Sequence, residues 1–291
     1  MLIWPDCIHC TLRMAVNIAR IAAENEAQVK KFIKEILKLD YYSGNRWDIT
    51  SPEIIRDVWL IMQNIFSVND PLKNIKKQQN DAARTIYPFA EEIVSKSPDP
   101  FQESLKFAIS GNAIDIMTGL KENPTRQNIE TIEKGSISHE SIMGFKDRLS
   151  KSRSLVYLGD NCGEIFFDRL FIETLLDYYD LKVTFVSRTV PVLNDAIMEN
   201  ALQAGLDKVA EVVENGTNEP IPGTMLDRVS PVVKSLISEA DIVISKGGGN
   251  YDSLSEEKGL MGKCTFLIQS KCEPYALIHS VPVGDLIVSN F

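Results

Sequence analysis

No apolar stretch of the 291-residue chain approaches the roughly 18–20 residues that a bilayer-spanning helix requires. The start, Met1-Leu2-Ile3-Trp4-Pro5-Asp6, lacks the basic flank and apolar stretch of a signal peptide. Cysteine is sparse: Cys7, Cys10, Cys162, Cys264 and Cys272 make an odd set of five in a long chain, which excludes a secreted disulfide framework and favours a reducing compartment. These absences predict a soluble, cytoplasmic protein with no membrane partner. Basic charge is also short, with 31 Lys and Arg against 40 Asp and Glu, a formal charge of −9. That balance argues against the broad phosphate-neutralising surface that nucleic-acid binding needs. A small anionic ligand remains compatible, because backbone donors, one lysine or a metal invert the field inside a single cleft.

What is present is ordinary globular composition, 44% hydrophobic and 24% charged, long enough for one large or two modest domains around a substantial core. The first half reads as helical. Leu12, Val16, Ala19 and Ala23 recur at spacings of three and four, and Met14, Ile18 and Ile21 form a second stripe, so a helix over 7–26 with Asp6 as N-cap is expected to be buried on much of its girth. Further helical patterns cover 27–39, 52–66, 71–94 and 101–118, with a break at Ser95-Lys96-Ser97-Pro98-Asp99-Pro100, since proline ends helices. A polar stretch over 121–138 leads to the second half.

From Ser154 the period changes. Leu155-Val156-Tyr157-Leu158 reads as a strand, 166–179 as a helix and 182–187 as the next strand, which is a βαβ unit. The alternation continues with helices over 195–204 and 224–239, strands over 209–213, 241–245 and 265–269, and a last short strand at Ile287-Val288. The expectation is an α/β fold: a helical N-terminal region, residues 1–150, packed on a Rossmann-like α/β domain, residues 151–291, with a mainly parallel sheet.

Ligands of open parallel sheets sit beyond the carboxyl ends of the strands. Three polar loops fall there: Gly159-Asp160-Asn161-Cys162-Gly163-Glu164, Ser187-Arg188 through Pro191 to Leu193-Asn194-Asp195, and Lys246-Gly247-Gly248-Gly249-Asn250-Tyr251-Asp252. Asp160, Asn161 and Asp195 offer oxygen donors suited to a hard cation such as Mg²⁺ or Mn²⁺, and no histidine or cysteine pair beside them suggests zinc. The Lys246 loop suits an anion, with backbone N–H groups exposed by the glycines and the lysine as a point charge, although it is neither a Walker A loop nor a dinucleotide fingerprint. Asn112 and Asp115, three apart, share a helix face. Cys7 and Cys10 share a first helical turn, which lowers a thiol pKa. They lack the preceding strand of a thioredoxin and a second close pair for zinc, so a structural role is favoured over redox or metal chemistry.

Taken together, Gly159-Asp160-Asn161 with Gly163-Glu164, Arg188 through Leu193-Asn194-Asp195, Lys246-Gly247 to Gly249-Asn250, Asn112-Ala113-Ile114-Asp115 and Cys7-Ile8-His9-Cys10 resemble the DUF89, or damage-control phosphatase, family, in particular its archaeal and bacterial branch. The resemblance implies a three-layer α/β/α domain with a divalent metal at the carboxyl rim of the sheet, and a phosphatase acting on small phosphorylated metabolites such as sugar phosphates or phosphopantetheine-like compounds. It implies metal ligation by Asp160, Asn161 and Asp195. Phosphate binding is implied for Lys246, Asn250, Ser187 or Arg188 and the amides of Gly247 and Gly249, with Glu164, Asn112 and Asp115 lining the cleft. Asp252 and Gly248 stand where many relatives carry Glu and Gln, which puts substrate choice in question before metal binding.

The mechanism this suggests is phosphoryl transfer helped by Mn²⁺, Mg²⁺, Co²⁺ or Ni²⁺, with Lys246 neutralising developing charge, Asp160 or a water as nucleophile, and Glu164 or Asp252 moving the proton. Two other readings share the same cleft: a phosphometabolite-binding protein without turnover, and a carboxyl methyltransferase. The oligomeric state is not encoded in any pattern here.

Overall fold

The computed structural model describes residues 1–111 and 136–291. Leu155-Val156-Tyr157-Leu158 forms the centre of strand β1 (Ser154–Leu158), buried on both faces as a parallel strand between two helical layers must be. Around it the chain runs α1 (Pro5–Ala22), α2 (Glu26–Ile36), α3 (Ser51–Phe66), α4 (Lys73–Lys96), α5 (Pro100–Ser110), α6 (His139–Ser150), β1, α7 (Glu164–Tyr178), β2 (Lys182–Ser187), α8 (Met198–Gln203), β3 (Glu211–Glu214), α9 (Pro231–Glu239), β4 (Ile242–Lys246), α10 (Gly247–Leu254), β5 (Cys264–Gln269), α11 (Glu273–His279) and β6 (Leu286–Asn290).

The six strands lie in the order β3-β2-β1-β4-β5-β6. All neighbours pair in parallel except β6, which runs antiparallel to β5. The chain moves outward from β1 to β2 and β3, then returns to the other side of β1 with β4. The order therefore reverses between β1 and β4, and the carboxyl ends of those two strands flank the crevice in which doubly wound sheets bind ligands.

Three hydrophobic clusters hold the layers. One face of the sheet is covered by α4, α5, α6 and α7, whose Ala83, Leu105, Phe107, Phe145, Phe167 and Phe171 share a core with Leu155, Tyr157, Phe185 and Ile244. On the other face, Val233 and Ile237 of α9, Tyr251 of α10 and Tyr275 of α11 pack on Val156, Val243 and Phe266. Helices α1 to α3 bury a cluster of their own around Phe32, Trp59 and Met62, joined by Val192 and Leu193 from the loop after β2. The boundary expected near residue 150 falls in the link between α6 and β1, with one continuous core on both sides of it.

Several expected elements begin elsewhere, for identifiable reasons. Helix α1 starts at Pro5 behind Trp4, so Asp6 lies in the first turn rather than capping it. The helix expected from 224 starts at Pro231, where Ser230 caps it by accepting from Val233 N and proline takes the first helical position. The helix expected from 195 starts at Met198, because Asp195 and Ile197 are used in isolated β-bridges to Asn161 and Arg188. Helices α6 and α11 interrupt stretches with no expected element. Among the described residues no helix is long and apolar enough to cross a membrane.

Candidate functional site

The backbone leaves β1 at Gly159, where a Cβ would lie 2.3 Å from Phe185 Cζ, so only glycine lets the chain pass that ring. Asp160 and Asn161 follow, and Asn161 pairs in an antiparallel bridge with Asp195 from the loop after β2. The two loops are tied further by Ala196 N donating to Asp160 O (2.8 Å) and Cys162 N donating to Asn194 O (2.8 Å). Leu193, two residues before Asp195, adopts φ +44°, a left-handed conformation that a bulky side chain keeps only when its surroundings hold it. Its anchor is the α1–α3 cluster in which it and Val192 are buried.

Asp160, Asn161 and Asp195 are therefore brought together, and all three are buried. Asn161 Nδ2 donates to Asp160 Oδ2 (2.8 Å) and to Glu164 Oε2 (3.1 Å). Arg188 spans the acids: Nε donates to Asp195 Oδ2 (2.7 Å), and Nη2 lies 3.8 Å from Asp160 Oδ1. Burial drives the Asp160 carboxyl well above the usual carboxylate range, and the charges of Asp195 and Glu164 push it further, against the pull of Arg188 and Lys271. An excess of buried negative charge on hard oxygen donors is the environment a divalent cation relieves. Among the described residues no three His, Cys, Asp or Glu side chains are arranged to hold a metal by themselves. The set that fits is two carboxylates with the Asn161 amide.

The remaining expected site residues take more specific positions. Arg188 is consumed within the protein, donating also to Gly223 O (3.0 Å) and Asn250 Oδ1 (3.3 Å), and so braces acids rather than opening to an anion. Asn250 closes the same brace: Nδ2 donates to Gly159 O (3.1 Å) and Lys246 O (2.8 Å), and Oδ1 accepts from the Thr224 hydroxyl (2.8 Å). Ser187 is buried, with its hydroxyl on Val213 O (3.3 Å).

Gly247, at φ +76°, is the first residue of α10, and its missing side chain leaves room for the Asp160 carboxylate. At Gly249 a Cβ would meet Pro222 O at 2.1 Å, so that glycine admits the chain's own backbone. Asp252, two residues beyond Asn250 and hence turned away from it on the helix, joins a different cluster. It accepts from Tyr275 OH (3.0 Å). Burial lifts its carboxyl to about 6, moderated by the Met1 ammonium and by hydrogen bonds from Tyr275 and Ser51. Asn112 and Asp115 lie outside the described residues.

Lys246 is fully buried at the end of β4 and points beneath the acids. Its Nζ donates to Glu164 Oε1, to Asp168 Oδ1 (2.5 Å) and to Ala108 O (2.6 Å). Burial works against the ammonium, but Asp168 and Glu164 together outweigh it and raise its pKa.

Two relevant residues were missed in the sequence. Asp168, buried in α7, has its carboxyl raised to about 7, by burial first, with Lys246 opposing and Glu164 adding. Its signal was there: Glu164 and Asp168 stand four apart in a helix whose surrounding residues are almost all apolar. Lys271 is exposed two residues past the carboxyl end of β5, and its charge bears on Asp160. The rim position alone would have singled it out.

The chain is similar to known proteins along nearly its whole length. Residues 3–287 match the damage-control phosphatase ARMT1-like domain. A damage-control phosphatase of Archaeoglobus fulgidus is 31% identical, over 99% of this chain and 98% of that protein. A damage-control phosphatase of Pyrococcus horikoshii is 26% identical, over 97% of this chain and 96% of its own. The crystal structure of a DUF89 family protein from Pyrococcus horikoshii superimposes with a TM-score of 0.86 at 25% identity, covering 100% of this chain and 99% of that one.

Proposed function

This chain belongs to the damage-control phosphatase ARMT1-like domain family, and from that premise we propose that it is a phosphatase that hydrolyses small phosphorylated metabolites with a divalent cation held by Asp160, Asn161 and Asp195. The observation that carries the reading is the meeting of those three side chains where the strand order reverses, with Asn161 donating to Asp160 Oδ2 and Arg188 joined to both acids.

When bound, the cation would supply neutralisation of phosphoryl oxygens. The chain's own groups do the rest. Arg188 holds the Asp195 carboxylate in one orientation through its 2.7 Å bond. Asn250 ties the loop carrying Asp160 to the end of β4, which fixes the two sides of the crevice relative to each other. The charge of Lys271, exposed on the rim, bears on Asp160 and adds to the positive field that an arriving phosphate meets. Glu164 accepts from the Asn161 amide and so orients that side chain at the site.

The test is a panel of phosphorylated metabolites and para-nitrophenyl phosphate crossed with Mg²⁺, Mn²⁺, Co²⁺ and Ni²⁺. Phosphate release that needs one of these ions, is abolished by a chelator and is lost in Asp195→Asn is the expected outcome. Substrate binding without release under every ion would overturn the enzymatic reading, and release indifferent to the chelator would overturn the cation. The asparagine variant is preferred to alanine because its side-chain oxygen can still accept from Arg188 Nε.

A further inference from the structure

We propose that Asp168 is a positioning residue: it anchors Lys246, Lys246 fixes Glu164, and Glu164 turns the Asn161 side chain so that its carbonyl edge rather than its amide edge serves as ligand. The inference rests on the metal reading above and adds to it a device beneath the site.

An asparagine side chain has nearly the same shape in its two amide orientations, so its hydrogen-bond partners decide which edge faces a cation. Here Nδ2 is committed to two carboxylates, Asp160 at 2.8 Å and Glu164 at 3.1 Å, which assigns the opposite edge to oxygen. Glu164 selects this orientation only if its own carboxylate stays put. Its other oxygen accepts from Lys246, which reaches it from the end of β4 and is held in turn by Asp168 Oδ1 at 2.5 Å and Ala108 O at 2.6 Å. Asp168 is fixed from the sheet side by Tyr157 OH at 2.7 Å. The links form one line: Tyr157, Asp168, Lys246, Glu164, Asn161, Asp160.

Stability alone does not account for this line. Two acids and one lysine are fully buried, an arrangement that well-packed apolar residues often equal or surpass. Asp168 Oδ2 is buried with no hydrogen-bond partner among the described residues, a cost that a purely structural ion pair has no reason to keep. What the arrangement does achieve is rigidity: Lys246, held from three sides, cannot follow Glu164 if that carboxylate rotates.

The experiment is calorimetric titration of Mn²⁺ into purified wild type, Asp168→Asn, Glu164→Gln and the double variant, each checked for fold by circular dichroism. Loss of an outer partner of a metal ligand commonly weakens affinity about 10- to 100-fold; that loss is expected for Glu164→Gln, and a smaller but clear loss in the same direction for Asp168→Asn. Because Asp168 acts through Glu164, the double variant should bind no more weakly than Glu164→Gln alone. Unchanged affinity in Asp168→Asn, or losses that multiply in the double variant, would overturn the inference. Should Asp168→Asn fail to fold, Tyr157→Phe makes the same test, with a smaller expected loss that Glu164→Gln again absorbs. If wild type binds no Mn²⁺, Mg²⁺, Co²⁺ or Ni²⁺, the metal reading falls and this inference with it. If wild type binds and the variants match it, only the inference falls.

Discussion

The Asp160 carboxylate occupies the space in which a side chain at Gly247 would begin, since a Cβ there would stand 1.8 Å from Asp160 Oδ2. The glycine after β4 and the acid after β1 are thus a fitted pair across the crevice. Gly247→Ala must both push the carboxylate aside and adopt a left-handed backbone at φ +76°, which costs an L-residue about 1–2 kcal/mol. The expected result is a folded protein with its melting temperature lowered by about 2–4 °C per kcal/mol and its divalent-dependent phosphate release reduced at least about tenfold, as befits a misplaced reacting group. Steady-state kinetics beside a thermal melt checks both, and unimpaired turnover would remove Gly247 from the site's architecture.

The buried acids make stability depend on pH in a predictable direction. Asp252 has a folded pKa of about 6 against an ordinary 3.8, and Asp168 about 7 against 3.8. Below the unfolded value both states are protonated and there is no penalty. As pH rises through this window the unfolded chain releases its protons first, so the folded state loses relative stability. The loss is complete above about 6 for Asp252 and above about 7 for Asp168. Asp252→Asn keeps an acceptor for Tyr275 and removes the Asp252 penalty. It should match wild type in thermal melts near pH 4, the unfolded acid range, and melt higher at pH 8. A variant that melts lower at pH 8 would show that the Met1 ammonium stabilises the ionised form by more than burial costs it.

Thiol reactivity should separate the five cysteines, all of which are free. Cys10 is exposed, whereas Cys162 and Cys264 are buried. Burial pushes Cys264 up to about 12 and Cys272 up to about 11, and it raises Cys7, whose sulfur accepts from Trp4 N at 3.4 Å. A chromogenic disulfide reagent at pH 8 is expected to find one fast thiol in the native protein, lost in Cys10→Ser, and five after denaturation. Fast reaction of Cys7 as well would point to a redox role for the pair.

The fold was largely legible because its signals were local. Strand β2 was read to the residue from Lys182-Val183-Thr184-Phe185-Val186-Ser187, and the change of period at Ser154 located the start of the sheet. Helix α11 escaped because its seven residues are too few to show an apolar stripe, whereas α6 carried the same apolar spacing as α2, with Ile142, Phe145 and Leu149 at helical intervals, and went unread. In the site, Asp160, Asn161 and Asp195 were legible from strand ends and oxygen chemistry. Lys246 was read as an anion cradle because its neighbours in sequence are glycines. Its partners in space, Glu164 and Asp168, lie about 80 residues away on α7, and no spacing rule links them. Arg188 was hidden in the same way, its role set by Asp195, Asn250 and Gly223, which meet only in the folded chain.

The left-handed backbone at Leu193 ties the two halves of the molecule into one machine. The strained turn delivers Asp195, yet the packing that holds it belongs to helices at the far end of the sequence. Grafting the helical half of a relative onto this sheet would therefore reshape the turn even if every residue of the sheet were left untouched, and an engineer seeking a new specificity must transplant the clamp together with the loop it grips.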